Sequence, residues 1–149
     1  MLQNRLNLNN ASVLDLFAGS GSLGFEALSR GASMVVFVDA TARVLDVLER
    51  NAISLGCLDT CEIIQADANE YISKARDQFD LIFADPPYAY DITTNIPIKV
   101  FGRKLLKKEG FLIIEHDKKT SFAVSSLYQS TERREFGNTH VTFFTHPSS

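Results

Sequence analysis

Phe79-Asp80-Leu81-Ile82-Phe83-Ala84-Asp85-Pro86-Pro87-Tyr88 is an apolar run that stops in a carboxylate, two prolines and an aromatic ring. Leu81 to Ala84 reads as a short strand covered on both faces of a sheet. Neither proline has an N–H to give to a ladder, so strand pairing ends there. Each fixes its own φ, and Pro87 also holds Pro86 extended. The expected product is a stiff loop rich in acceptors and poor in donors. Asp85 offers carboxylate oxygens, Pro86 a bare C=O and Tyr88 a flat face. Such a loop suits a planar –NH2 group, whose two N–H donors meet two acceptors while its ring stacks on Tyr88. On this string alone the plainer reading stays open: a strand closed by a Pro-Pro turn, with Asp85 as a turn former.

The chain on either side decides how that strand is used. Ser12 to Phe17 reads as a first strand. It enters Ala18-Gly19-Ser20-Gly21-Ser22-Leu23-Gly24 and then a helical pattern from Phe25 to Arg30, closed by Gly31. Glycines let a ligand approach the backbone, and free N–H groups at the helix start face it. Gly19, Gly21 and Gly24 match G-x-G-x-x-G, a pattern also met in ordinary strand-to-helix turns. Met34 to Val38 is a second strand with Asp39 at its end, placed to accept from both hydroxyls of a ribose. The plainer alternative for Asp39 is the N-cap of the next helix, a place for which Thr41 competes. That helix carries an apolar stripe through Val44, Leu48, Ala52 and Leu55 and ends at Gly56. Cys61 to Gln65 is a third strand. Asp67, just past it, is either a ligand group or the cap of a helix from Ala68 to Ala75.

Downstream, a helix is expected over 92–106, with Pro97 tolerated near its start. Its polar face carries Lys99, Arg103, Lys104, Lys107 and Lys108 beyond or within its last turns. A fifth strand follows from Gly110 to Glu115, then a weak helix from Ser121 to Tyr128. Ser130 to Phe136 and Thr139 to Thr145 alternate around Gly137-Asn138 and read as a closing β-hairpin. Strands alternating with helices imply a parallel α/β sheet with right-handed crossovers, edged by the antiparallel hairpin. Four ligand-type signals follow the first four strands. In an open sheet strand ends share one edge, so the glycine corner, Asp39, Asp67 and the Asp85 loop are expected to converge.

The 149 residues fit one domain, expected to span 1–149, and 45% hydrophobic with 22% charged residues is ordinary globular composition. No run of 18 apolar residues and no leader pattern follow Met1, so a cytoplasmic protein without membrane contact is expected. Cys57 and Cys61 and the scattered His116, His140 and His146 do not form a metal-ligand pattern, and no metal is expected. Net charge is −3, yet its distribution is uneven. Residues 1–98 hold 6 Lys/Arg against 13 Asp/Glu, and residues 99–149 hold 9 against 5, an asymmetry that can accompany polyanion binding.

With these residues in hand, the sequence resembles S-adenosylmethionine-dependent methyltransferases of the Rossmann-like class. Val13 to Gly21 looks like their first motif and Asp85-Pro86-Pro87-Tyr88 like the (Asp/Asn)-Pro-Pro-(Tyr/Phe) motif of amino-group methylases. The closer resemblance is to the bacterial family that methylates the N2 amine of one guanine in 16S ribosomal RNA. Leu14 to Gly21, Ala27 to Ala32 and the hairpin turn Phe136 to Thr139 carry it. The resemblance implies a mostly parallel seven-stranded sheet with helices on both faces. It implies S-adenosylmethionine as cofactor, held by Asp15, Phe17, Ala18, Gly19, Gly21, Asp39, Asp67 and Ala68. Asp85, Pro86, Pro87 and Tyr88 become the catalytic set. Small-subunit ribosomal RNA, naked or assembled, becomes the partner of a monomeric enzyme. The basic residues Lys99, Arg103, Lys104, Lys107, Lys108, Lys118, Lys119, Arg133 and Arg134 become candidates for phosphate contact. Family members usually carry a further N-terminal segment that covers the cofactor. This chain starts at about where that segment's helix ends, so a truncated form is expected.

The chemistry expected is in-line methyl transfer from a sulfonium to an exocyclic amine, with Asp85 and the Pro86 carbonyl accepting its hydrogens. Rival readings are a methyltransferase for an amine of DNA adenine or cytosine or of protein glutamine, and a non-catalytic cofactor- or RNA-binding remnant. A nicotinamide-dependent oxidoreductase built on Gly19, Gly21, Gly24 and Asp39 is a further rival. Asp15 inside the first strand and the Pro-Pro loop, which hydride transfer does not need, argue against it.

Overall fold

A computed structural model of the protein describes residues 6–87 and 93–147. Seven strands form one sheet in the order β3-β2-β1-β4-β5-β7-β6. They are β1 (Ser12–Leu16), β2 (Met34–Asp39), β3 (Cys61–Gln65), β4 (Phe79–Ala84), β5 (Leu106–His116), β6 (Gln129–Phe136) and β7 (Thr139–Thr145). The pairs β1–β2, β1–β4, β2–β3 and β4–β5 are parallel, while β5–β7 and β6–β7 are antiparallel. Helices α1 (Ser22–Ser29), α2 (Ala42–Ser54), α3 (Ala68–Lys74) and α4 (Ile96–Gly102) connect the parallel strands. The expected mostly parallel sheet with an antiparallel hairpin is therefore present, and the hairpin turns at Gly137-Asn138 as its sequence implies.

Side chains alternate across the sheet and divide the core in two. Val13, Val35, Phe37, Leu81, Phe83 and Ile113 face one way and pack with residues of α1 and α2. Leu14, Leu16, Val36, Val38, Ile82 and Ile114 face the other and pack with α3 and α4. Central strands buried on both faces explain why β1, β2 and β4 read as continuous apolar runs rather than alternating ones. Gly24 shows how closely α1 lies on the sheet. A Cβ there would stand 2.3 Å from the Phe37 ring and 2.9 Å from Val35.

Three expectations are corrected. The helix expected to run as far as Leu106 stops at Gly102 and does not carry all five basic residues. Lys104 takes a left-handed φ of 59°, and Leu105 donates back to the Val100 carbonyl. Buried Leu105 and Leu106 then turn into β5, so Lys107 and Lys108 lie on a strand. Pro97 sits in the first turn of α4, where its missing N–H costs nothing. Residue 92, the expected helix start, lies outside the described residues. The segment from Ser121 to Tyr128 is not a helix. Asp117 accepts from the backbone of Lys119 and Thr120 and from the Thr120 hydroxyl, which opens the segment with an Asx-type turn. Phe122 and Tyr128 then pin it edge-on to Phe144, while Val124 between them is fully exposed. Two anchors, not a helical stripe, hold it down. Finally, the first strand ends at Leu16, because Phe17 adopts φ 59°.

Gly24→Ala tests the contact between α1 and the sheet. The added methyl must displace the Phe37 ring, and overpacking of this kind costs about 1–3 kcal/mol. Urea unfolding is expected to show a lower midpoint with an unchanged slope.

Candidate functional site

The carboxyl ends of β1, β2, β3, β4 and β5 surround a cavity of about 700 Å³. Phe17, Gly19, Asp39, Asp67 and Ala68 line it, together with Asp85, Pro86 and Pro87. A smaller neighbour of about 310 Å³ is lined by Asp15, Phe17, Ala18, Gly19 and Asp85 among others. The structure thus brings the strand-end residues singled out in the sequence to one edge. Gly21 lies in the same corner but lines neither cavity. Its φ is +81°, and a Cβ would meet Leu48 at 2.5 Å and the Phe25 ring at 2.7 Å. It serves the packing of the turn against α2. Tyr88 lies outside the described residues.

The corner is built from the backbone up. Phe17 and Gly19 both take left-handed φ values, which turns the chain sharply out of β1. A left-handed phenylalanine is a costly conformation that persists only where surrounding contacts enforce it. Ala18 donates to the Val38 carbonyl at 3.1 Å, tying the turn to the end of β2. The position of a Cβ on Gly19 meets nothing closer than the Phe17 carbonyl at 4.0 Å, so the glycine faces open space.

Asp39 bridges two loops. Its Oδ2 accepts from the Gly19 N–H at 3.1 Å, and its Oδ1 accepts from the Thr41 N–H at 3.0 Å. A carboxylate has about four acceptor sites, so roughly two stay available to a ligand in the cavity. Thr41, not Asp39, occupies the N-cap position of α2, without a side-chain cap bond. Asp67 does cap a helix: its Oδ2 accepts from Asn69 N at 3.0 Å and Glu70 N at 3.2 Å while the residue lines the cavity. Of its two sequence readings, the capping one is present in the structure.

Asp15 is buried in β1 and accepts from the Gly24 N–H at 3.2 Å. Burial, helped by the nearby Asp85 and Asp39, pushes its carboxyl up to about 8 against the pull of that N–H. At pH 7 it is a neutral acid. Asp85 is solvent-exposed on the cavity wall, yet desolvation there raises its carboxyl as well, while a side-chain contact with Glu115 lowers it. Glu115 lines both cavities and is the principal residue that sequence reading passed over. The signal was present, because Glu115 stands near the carboxyl end of β5 as Asp39 does on β2.

The basic residues do not form one surface. Arg103 donates to the Ile72 and Ala75 carbonyls at 3.3 and 3.0 Å, closing the end of α3 remote from the cavity. Lys107 pairs with Asp80 at 3.3 Å at the start of β4, and Lys104 and Lys108 flank that far edge. Lys99 donates to Asn69 Oδ1, beside the first turn of α3 and therefore near the cavity. Lys118 and Lys119 follow β5 on the cavity edge. Arg133 reaches the Lys118 carbonyl at 3.2 Å and His140 Nδ1 at 3.0 Å, and Arg134 pairs with Glu132 at 2.6 Å.

Comparison with known proteins adds a second line. Residues 1–145 match the family described as conserved hypothetical protein 95. The chain is 34% identical over 118 residues to Ribosomal RNA small subunit methyltransferase D of Buchnera aphidicola, covering 78% of this chain and 61% of that protein. It is 32% identical over 114 residues to the protein of the same name from Haemophilus influenzae, covering 74% of this chain and 59% of that one. The match therefore spans about three-fifths of these relatives' length. Among solved structures, a conserved hypothetical protein of Streptococcus pyogenes superposes with a TM-score of 0.83 at 28% identity, over 93% of this chain and 88% of that one.

Asp15 gives the site a pH signature in stability. Its folded value of about 8 lies above the ordinary 3.8, so the folded state binds the extra proton between those values. Stability is then full below the lower value and falls as pH rises toward the upper one, with a slope approaching about 1.4 kcal/mol per pH unit. Asp15→Asn is expected to flatten that slope in urea midpoints measured across the same window.

Proposed function

The chain belongs to the conserved hypothetical protein 95 family, the family of the small-subunit ribosomal RNA methyltransferases D, and on that premise we propose that it methylates ribosomal RNA. The reaction proposed is transfer of a methyl from S-adenosylmethionine to the exocyclic N2 amine of a guanine in small-subunit RNA. The observation that carries this reading is the placement of Asp85 and Pro86 in the same cavity as Gly19 and Asp39. An amine acceptor and a nucleoside cradle then share one space.

The residues present fit the cofactor. Gly19 leaves open the space a side chain would fill, so backbone can approach a ligand closely. Asp39, with acceptor capacity to spare, suits the hydroxyls of a ribose. Ala66, Ala68 and Val44 give the neighbouring wall small apolar surfaces suited to a flat ring. When bound there, S-adenosylmethionine supplies an electrophilic methyl on a sulfonium.

The protein's part is to orient a poor nucleophile. The lone pair of a guanine amine is delocalised into the ring. When the Asp85 carboxylate and the Pro86 carbonyl accept its two hydrogens, the nitrogen is held with its lone pair free to turn toward the methyl. Positive charge that develops on the nitrogen meets fixed acceptors in a partly desolvated site, which favours the transition state. Asp85 is also within the chemistry needed to take the released proton. A base of RNA must leave its stack to enter, and Tyr88 follows Pro87 in sequence as the ring to receive it. Lys99, beside the first turn of α3, Lys118 and Lys119, which follow β5, and Arg133, bonded to the Lys118 carbonyl, are the basic residues suited to hold the phosphates of the flanking strand.

Two variants separate these roles. Asp85→Ala is expected to lower labelled methyl incorporation into unmodified small ribosomal subunits by at least about 10²-fold while cofactor binding persists. Asp39→Ala is expected to weaken cofactor binding. Nucleoside mapping of the product identifies the base: N2-methylguanosine supports the reading. Near-normal turnover by Asp85→Ala, or a different methylated nucleoside, contradicts it.

A further inference from the structure

Asp85 has a partner. β4 and β5 run parallel with Ala84 opposite Ile114, so the next residues, Asp85 and Glu115, stand side by side beyond the last pair. Both line both cavities, and each carboxyl shifts the other's titration. Two ionised carboxylates offer only acceptors and repel, so a bond between them requires a proton. The titratable group facing them from β1 is Asp15, which is itself a buried acid and brings no positive charge. Asp39, from β2, acts on Asp15 as another carboxylate. The start of α1 contributes Ser22 and Leu23 to the same space, with no charge.

We infer that Glu115 is a positioning residue for Asp85: the two share one proton, which resides on Glu115 and is donated to Asp85, holding Asp85 as an oriented anionic acceptor. The inference rests on the methyl-transfer reading of the site. The electrostatics agree with the geometry. Burial pushes both carboxyls up, and their contact pulls Asp85 back down while pushing Glu115 further up. An ordinary glutamate holds its proton more tightly than an ordinary aspartate, which places the shared proton on Glu115.

This arrangement answers a difficulty at the site. A desolvated Asp85 without a donor would tend to protonate, and the neutral acid is a weaker acceptor for the amine's hydrogens and no base for its proton. It also gives the reaction's proton a place. As the N–CH3 bond forms and the S–CH3 bond breaks, the nitrogen becomes cationic and gives one hydrogen as a proton to Asp85. The positive charge of the sulfonium has vanished with its bond, and the carboxyl pair has gone from one negative charge to none. The pair then holds two protons. One returns to water by way of the smaller cavity, which Glu115 also lines.

Two measurements test this. NMR titration of the whole chain with 13C-labelled side-chain carboxyls needs neither cofactor nor RNA. Glu115 is expected to titrate above the ordinary glutamate range and to move down toward it in Asp85→Asn. An ordinary Glu115, or one unmoved in that variant, overturns the inference. In methyl-transfer kinetics, Glu115→Gln keeps a donor toward Asp85 and is expected to retain kcat within about tenfold near neutral pH. Glu115→Ala removes the donor, and is expected to lose about 10²-fold in kcat and shift the acid limb of the kcat/KM profile to higher pH, with cofactor KM unchanged. An acid limb unmoved in Glu115→Ala overturns the inference. If the wild-type chain transfers no methyl, the methyl-transfer reading fails, while the NMR titration still decides whether the proton is shared.

Discussion

Parallel pairing of β1, β2, β4 and β5 is the constraint on which the site depends. Strands that run the same way finish at the same edge, and a two-residue alternation decides which face each terminal side chain takes. The register sets Asp15 beside Phe83 and Ala84 beside Ile114. Asp15, Asp85 and Glu115 thereby fall on the α1 side of the sheet, although exactly the same strands send Leu16 and Ile114 into the other core. A register slip of one residue would turn these acids toward the opposite layer. The hydrogen bond from Gly19 to Asp39 then locks the turn after β1 to the end of β2, closing the wall of the larger cavity.

The same edge is where the protein gives up stability. It buries a carboxylic acid in its central strand, holds a phenylalanine in a left-handed conformation and places two further carboxyls in contact. None of these favours folding. On the proposed reading, each serves a surface that presents acceptors and open backbone to a ligand. The surrounding apolar layers, sealed by Val35, Phe37 and Phe83 on one face and Val38 and Ile82 on the other, are what make such an edge tolerable.

Much of this was legible in the sequence, for identifiable reasons. β1, β2 and β4 are apolar runs with sharp ends, and a glycine turn after β1 and a proline pair after β4 mark where they stop. The hairpin announced itself through Gly137-Asn138. What was not legible is equally specific. The end of α4 at Gly102 depends on a left-handed Lys104, a conformation no propensity assigns to lysine. The segment after β5 kept its helix-like spacing but is held by Phe122 and Tyr128 on Phe144, a tertiary contact invisible to local pattern. Glu115 was within reach. It obeys the strand-end rule that pointed to Asp39, but nothing local shows that its neighbour across the sheet is Asp85.

Calorimetric titration of the chain with S-adenosylmethionine, and separately with NAD, tests most directly whether this edge is a sulfonium-nucleoside site. One S-adenosylmethionine bound per chain, with no heat from NAD, is the predicted result. Binding of NAD without S-adenosylmethionine would contradict the account.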